Sequence, residues 1–312
     1  MCKVKRLDKL RKILKRIDIN KELFDNAFAK ARGTIFAVVS TLLAFFSLDS
    51  FGIKTVYHKI LFILEMFVVA VIYAIVLVCN YKKKRILNEP SQTITLQYGN
   101  LWDFAFPKRS KNQRIIVVNV NTTFDTVIDP PGVDKPLVSE GTIHGQWIKQ
   151  MENRGIEIDK IDSEIEKSLQ IQRAVPSSVL SNKTRGKCNN YPKGTIAWCT
   201  YKDTIFYLLA LSEFDESNNA HNSFEELRET IETLIDFIDK NGQGIDVYMP
   251  LMGTGLSRTK SIDSEIALEL LKSELIINKD KLHGSVNVVV YERYRDKIPL
   301  GVRQFGAYSL VR

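Results

Sequence analysis

Residues 60–79 read ILFILEMFVVAVIYAIVLVC, an apolar run interrupted only by Glu65. Its length matches the ~20 residues that a helix needs to cross ~30 Å of hydrocarbon at ~1.5 Å per residue. Just upstream, Gly33–Leu48 reads GTIFAVVSTLLAFFSL, a shorter apolar run with Lys30 and Arg32 placed to snorkel at its start. A long basic region precedes this run and no small-residue cleavage pattern follows it, which argues against a cleaved signal peptide. The expectation is a two-helix membrane hairpin over residues 33–81, carrying a cytosolic domain over residues 90–312.

Charge gives the hairpin an orientation. Eleven basic residues, Lys3 to Arg32, precede the first run, and Lys82, Lys83, Lys84 and Arg85 follow the second. The loop between them has only Lys54, with Lys59 at the start of the second run. The positive-inside rule then puts both termini in the cytoplasm of a multi-pass protein of the cell's inner membrane. Of 44 Lys+Arg and 36 Asp+Glu, residues 1–89 hold 17 and 7, which leaves 44−17=27 and 36−7=29 for residues 90–312. The net +8 therefore comes from the membrane-proximal part, and a slightly acidic soluble part is not the profile of a nucleic-acid binder. Four scattered cysteines (Cys2, Cys79, Cys188, Cys199) without a CxxC pattern read as free thiols in a reducing cytosol. Four histidines offer no metal-ligand spacing, so no metal is expected.

Val4, Leu7, Leu10, Leu14 and Ile17 recur at helical spacing among Lys and Arg. This predicts a basic amphipathic arm over residues 1–32. It would lie on an anionic leaflet, or else pack on a neighbouring subunit or on the soluble domain. Phe24, Phe28 and the alanines after them can continue the helix into the first span. Glu65 sits about 7–8 Å inside the second span. Two roles remain open for it, a carboxylate near the headgroups or a lining residue of a pore built from several chains.

Beyond the charged run, strands and helices alternate. Thr93–Tyr98, Arg114–Val120, Thr195–Thr200, Thr204–Leu211, Gly244–Leu251 and Val286–Tyr291 read as strands. Ile143–Met151, Ile161–Leu169 and Ser261–Leu275 read as helices, as does a segment ending at Ile238 that opens on Ser223 with Glu226 three residues later. The pattern predicts an α/β three-layer fold with a mixed, largely parallel sheet, whose ligands bind beyond the carboxyl ends of the strands.

Three stretches at those ends carry chemistry. Gly253-Thr254-Gly255-Leu256-Ser257-Arg258 follows a strand and precedes a helix, an arrangement that lets backbone N–H groups approach a phosphate. Ser139-Glu140-Gly141-Thr142-Ile143-His144-Gly145 also opens a helix, and the two loops together would grip the halves of a pyrophosphate. Asn119 and Asn121, ending a buried strand, offer amides to ribose hydroxyls, or else make the turn that follows.

On these residues the domain resembles the macro domain, a binder of ADP-ribose and related nucleotides. Asn100, in Tyr98-Gly99-Asn100-Leu101, stands where that family has the acid that contacts adenine. Val118–Asn121 resembles its ribose-side strand. Ser139–Gly145 and Pro250–Arg258 resemble its two phosphate loops, the first without the common glycine triplet. A two-span hairpin joined to such a domain resembles the membrane effectors of the second type of Thoeris antiphage systems. That resemblance implies a ligand rather than a cofactor, an ADP-ribose derivative such as histidine-ADP-ribose, made by a TIR-domain partner that consumes NAD. It implies a homo-oligomer that disrupts the membrane in an abortive infection, with no catalytic residues. Asn100 and Leu101 would then lie near adenine, and Asn119 and Asn121 at ribose. Gly141–Gly145 and Gly253–Arg258 would hold phosphate, with Arg258 free to pair an anion at the ligand's far end. Two other readings stand beside it. One is a membrane-tethered ADP-ribosyl hydrolase with His144 or Glu140 as acid–base group; the other is a receptor that recruits partners to the membrane.

Overall fold

The structure, a computed structural model, describes residues 2–46, 50, 54–109, 112–133, 136–181, 183, 185–214, 220–221, 223–253 and 263–300. The chain forms two compact units: Met1–Lys82 with the described residues from Arg293 onward, and Lys83–Glu292.

The first unit is helical. Helix α1 (Cys2–Ile19) ends one residue before α2 (Lys21–Phe45), and α3 (Val56–Asn80) returns alongside α2. Helices α2 and α3 are long and apolar enough to cross a membrane. The apolar run expected from Gly33 is thus the second half of a longer helix that takes in Phe24 and Phe28. Thr55 caps α3 by accepting the His58 N–H, which satisfies one of the donors a helix start leaves open. The buried positions of the pair are small or β-branched: Ala27 and Ala31 on α2, Ala70, Ala74 and Val78 on α3. Small side chains let helix backbones approach closely. Phe28 and Phe67 meet edge to face with centroids 5.3 Å apart. Helix α1 packs on α3 and α2 and leaves Leu10 and Leu14 exposed. Glu65 is exposed on α3.

In the second unit the described residues form an eight-stranded sheet that runs β1-β2-β12-β11-β3-β9-β10, with β8 also paired to β9. The strands are β1 (Lys83–Glu89), β2 (Gln92–Gly99), β3 (Arg114–Asn121), β8 (Ile196–Tyr201), β9 (Thr204–Phe214), β10 (Ala220–His221), β11 (Asp246–Pro250) and β12 (Gly284–Tyr291). Two-residue strands β4 (Ile128–Asp129) with β5 (Val138–Ser139), and β6 (Ser178–Val179) with β7 (Asn189–Asn190), form small ladders outside it. Pairs β2–β12, β12–β11, β11–β3 and β3–β9 are parallel; β1, β8 and β10 add antiparallel. The fold is therefore α/β with a mixed, largely parallel sheet. The charged run Lys82–Arg85 enters β1, and charged side chains suit such an edge strand because they discourage pairing with another chain.

Burial follows strand alternation. Ile116, Val118 and Val120 point to a face covered by α4 (Leu101–Ala105), α5 (Ile143–Glu152) and α6 (Ile158–Ile171), where Trp147, Ile148, Met151, Ile161 and Ile165 close the core. The other face is covered by α7 (Phe224–Asn241) and α8 (Ser264–Ile277). Their buried stripes include Leu227, Ile231, Leu234 and Ile238 on α7, and Leu268, Leu271 and Leu275 on α8. Helix α7 opens on a complete capping box between Ser223 and Glu226.

Candidate functional site

Parallel strands β2, β3 and β11 end on the same side of the sheet, and the loops leaving them carry the residues singled out by sequence. After β2, Asn100 adopts extended backbone and caps α4, its Oδ1 accepting the Trp102 N–H at 3.2 Å. Leu101 is buried in the core beside it. Gly99 leaves room for the Phe104 ring, 3.2 Å from where a Cβ would stand.

At the end of β3 the two asparagines part ways. The Asn119 Oδ1 is buried and has no hydrogen-bond partner among the described residues. The ladder shifts by one residue between Val120 and Asn121, with Leu211 of β9 the extra residue, so that Asn121 pairs with Ser212. The Asn121 amide donates to Asp125 Oδ2 at 2.9 Å, and its Oδ1 accepts the Asp125 N–H at 3.0 Å. Asn121 is 3% exposed and serves this turn.

The loop Ser139–Gly145 is closed by Thr142, which caps α5. Its hydroxyl donates to the Ser139 carbonyl at 2.6 Å and accepts the Gly145 N–H at 3.0 Å. Gly145 is required by contact: a Cβ there would stand 2.9 Å from the Glu140 Cα, and closer still to the Ser139 carbonyl oxygen. Gly141 is in the turn, its carbonyl accepting Gln146 Nε2 at 3.2 Å, and Gln146 Oε1 accepts the Trp102 indole N–H at 2.8 Å. That chain ties the Asn100 helix to the Gly141 turn, and neither Trp102 nor Gln146 was singled out by sequence. Ile143 packs against the core.

His144 is buried and its ring stacks on Trp147 at 6.5 Å between centroids. Burial, partly opposed by the nearby Asp125 carboxylate, pushes its pKa down to about 4, so the ring is neutral at physiological pH. Glu140, the other acid–base candidate, is ion-paired with Lys149. Among the described residues no cluster of His, Cys, Asp and Glu could hold a metal ion.

After β11, Gly253 takes a left-handed conformation (φ +80) against Leu227 of α7, a turn that a side chain would strain. Thr254, Gly255, Leu256, Ser257 and Arg258 lie outside the described residues.

A second feature escaped sequence reading. Asp125, 1% exposed, accepts from Asn121, from Thr123 Oγ1 (2.6 Å), from Lys183 Nζ (2.6 Å) and from the Lys187 N–H (2.7 Å). Arg185 holds Asp129 with both terminal nitrogens, at 2.8 and 3.2 Å, and Lys187 pairs with Asp162. The Leu137 N–H, then Arg185, keeps the Asp129 carboxyl below the usual range. Register puts Asp129 opposite Ser139, so Arg185, which holds Asp129, stands beside the strand that leads into the Thr142 loop, and with Lys183 and Lys187 it forms a basic strap.

The family model for the macro domain of Thoeris protein ThsA matches residues 94–291. Thoeris protein ThsA of Bacillus amyloliquefaciens (strain Y2) is 24% identical over 271 residues, which cover 85% of this chain and 83% of that protein. Among solved structures, a point mutant of the Oceanobacillus iheyensis macrodomain superposes with a TM-score of 0.42 at 10% identity, covering 69% of this chain and 88% of its own. The Thermosipho africanus DarTG in complex with ADP-ribose does so with a TM-score of 0.38 at 13% identity, over 71% and 45% of the two chains.

Proposed function

The chain belongs to the family of the Thoeris protein ThsA macro domain, and on that footing we propose that it is a membrane effector gated by an ADP-ribose-type signal. In this reading a TIR-domain partner makes histidine-ADP-ribose from NAD during phage infection. The ligand's adenine lies by Asn100 and Leu101 and a ribose by Asn119. Its diphosphate is shared between Gly141–Gly145 at the start of α5 and Gly253–Arg258, with Arg258 pairing an anionic group at the far end. Helices α2 and α3 span the inner membrane with both termini in the cytoplasm, and ligand-driven self-association of the hairpins permeabilises it. Asn121 and His144 act within this site as supports, the first through Asp125 and the second through Trp147.

The observation that carries the reading is the Asn119 oxygen, buried without a partner among the described residues at the carboxyl end of a central parallel strand. A buried acceptor left unmade costs about 1–3 kcal/mol, a cost that a ribose hydroxyl would offset. The loop closed by Thr142 adds a helix N-terminus, whose open N–H groups and dipole favour phosphate.

The test is calorimetric titration of the full chain in detergent with ADP-ribose and with histidine-ADP-ribose, followed by recovery of the ligand. Binding with the ligand recovered intact supports a sensor. Recovery of ADP-ribose plus a released group makes the protein a hydrolase, and no binding of either compound removes the reading.

A further inference from the structure

Helices α2 and α3 pack out of step with their apolar runs. Helix α3 is apolar from Ile60 to Cys79 but for Glu65, whereas α2 is free of charge only beyond Arg32. The two run antiparallel, and Phe28 of α2 meets Phe67 of α3, so Lys30 stands level with Glu65. That level is about 7–8 Å from the Ile60 end of the run and about 21 Å from the Cys79 end, at ~1.5 Å per residue. The Cys79 end is marked by Arg295, whose guanidinium donates to the carbonyls of Cys79 and of Tyr81 (2.9 Å). A guanidinium on the open carbonyls of a helix end belongs at the headgroups. Sequence alone places Lys30 at the membrane edge; its register against α3 places it inside.

Both charges are exposed, and among the described residues no ion pair engages either. The seam between the helices is made by Ala27 and Ala31 of α2 and by Ala70 and Ala74 of α3. Lys30 is turned about 100° from Ala31, and Glu65 about 140° from Ala70, so each leaves the hairpin on an outer side. Charges inside a membrane face a bundle interior or a water-filled space, because hydrocarbon solvates them poorly. Lys30 also belongs to a stripe. Asn26, Lys30, Gly33, Ala37, Ser40 and Ala44 recur at steps of four and three, the spacing of one helix face, and all are exposed. The large exposed side chains Phe36, Val38, Leu43 and Phe45 lie off that face.

We propose that copies of the hairpin pack in a ring, α2 of one beside α3 of the next, with Lys30 paired to the next copy's Glu65 and the Asn26–Ala44 stripe turned to a water-filled centre. Rotation about the membrane normal preserves depth, so only groups level within one chain can meet across such a ring. Opposite charges on the two outer sides of one hairpin make the contact head-to-tail, the kind that closes into rings. The inference deepens the effector reading and rests on it for the signal that starts assembly, but the contact can be tested without any ligand.

The experiment has two arms, both on the full chain in vesicles of phosphatidylethanolamine and phosphatidylglycerol. In the first, Cys2, Cys79, Cys188 and Cys199 are replaced by serine, and Lys30→Cys and Glu65→Cys chains are oxidised separately and mixed. Covalent dimer should be at least fivefold more abundant in the mixture than in either chain alone; an equal yield would overturn the contact. In the second arm, histidine-ADP-ribose is added and dye release followed. Lys30→Glu and Glu65→Lys should each lower release about tenfold while nucleotide affinity stays within about twofold, and the two together should restore it. Single variants that release dye like the parent, or a double variant that stays inactive, would remove the pair. In the chain free of other cysteines, a membrane-impermeant thiol reagent should block release through Ser40→Cys and spare Leu43→Cys; the reverse would put the stripe in lipid. If the unsubstituted chain binds neither nucleotide, the effector reading fails while cross-linking still decides the ring contact.

Discussion

Replacing Gly145 by alanine sets two effects against each other, and local packing decides between them. Gly145 is the third residue of α5, where Ala ordinarily stabilises a helix by about 0.5–1 kcal/mol relative to Gly. Here the added Cβ would stand 2.9 Å from both the Glu140 Cα and the Ser139 carbonyl carbon. These are backbone atoms of the turn that Thr142 closes, so no side chain can swing aside. Overpacking of this kind costs about 1–3 kcal/mol, which outweighs the propensity gain. The relief route is displacement of residues 139–141, which breaks the 2.6 Å bond from Thr142 to Ser139. The expected result is net destabilisation of about 1–2 kcal/mol and at least a tenfold loss of ADP-ribose-type binding, worth ~1.4 kcal/mol. Thermal melts give the first number and calorimetric titration the second. A Gly145→Ala protein that melts higher and binds as well as the parent would overturn both the packing argument and the role of this loop.

Asn119→Ala should weaken nucleotide binding about tenfold or more with melting temperature unchanged or raised, because it removes a buried acceptor without a protein partner; a parallel loss of stability would mean that the side chain is structural. Asp125→Ala should cost about 3–5 kcal/mol in denaturant unfolding, since it strips four donors including the part-buried Lys183; a loss under about 1 kcal/mol by the same measurement would show the strap to be loosely held. For His144 the folded pKa of about 4 lies below the unfolded value near 6.5. Its neutral burial thus favours the fold above pH ~6.5 and progressively less as pH falls towards 4, by roughly 3 kcal/mol at most. His144→Phe should flatten the stability profile across that window, and profiles that stay parallel would remove the assignment.

Local chemistry made much of the fold readable. The α7 start was visible because both partners of its capping box lie three positions apart in sequence, and β3 because RIIVVNV is apolar on both faces, as a central parallel strand must be. Strand β1 was read only as a basic flank, because KKRILNE satisfies an edge strand and a positive-inside signal equally well. Helix α4, five residues long, is too short to show a period. At the site, the glycines and Thr142 announced their turn through local spacing. The Asp125 strap could not be read that way, since Lys183 is 58 positions from its carboxylate. Arg295 is 216 positions from the carbonyl it grips on Cys79. Asn119 and Asn121 are indistinguishable by type, and they part only through the hydrogen bonds that Asn121 makes to Asp125, four residues on.

The most direct measurement is a structure of the full chain in complex with histidine-ADP-ribose. The expected result is a ribose hydroxyl within hydrogen-bond reach of Asn119 Oδ1, with the diphosphate against the Thr142–Gly145 start of α5. Nucleotide density elsewhere on the domain, with the Asn119 oxygen still unpaired, would rule that arrangement out.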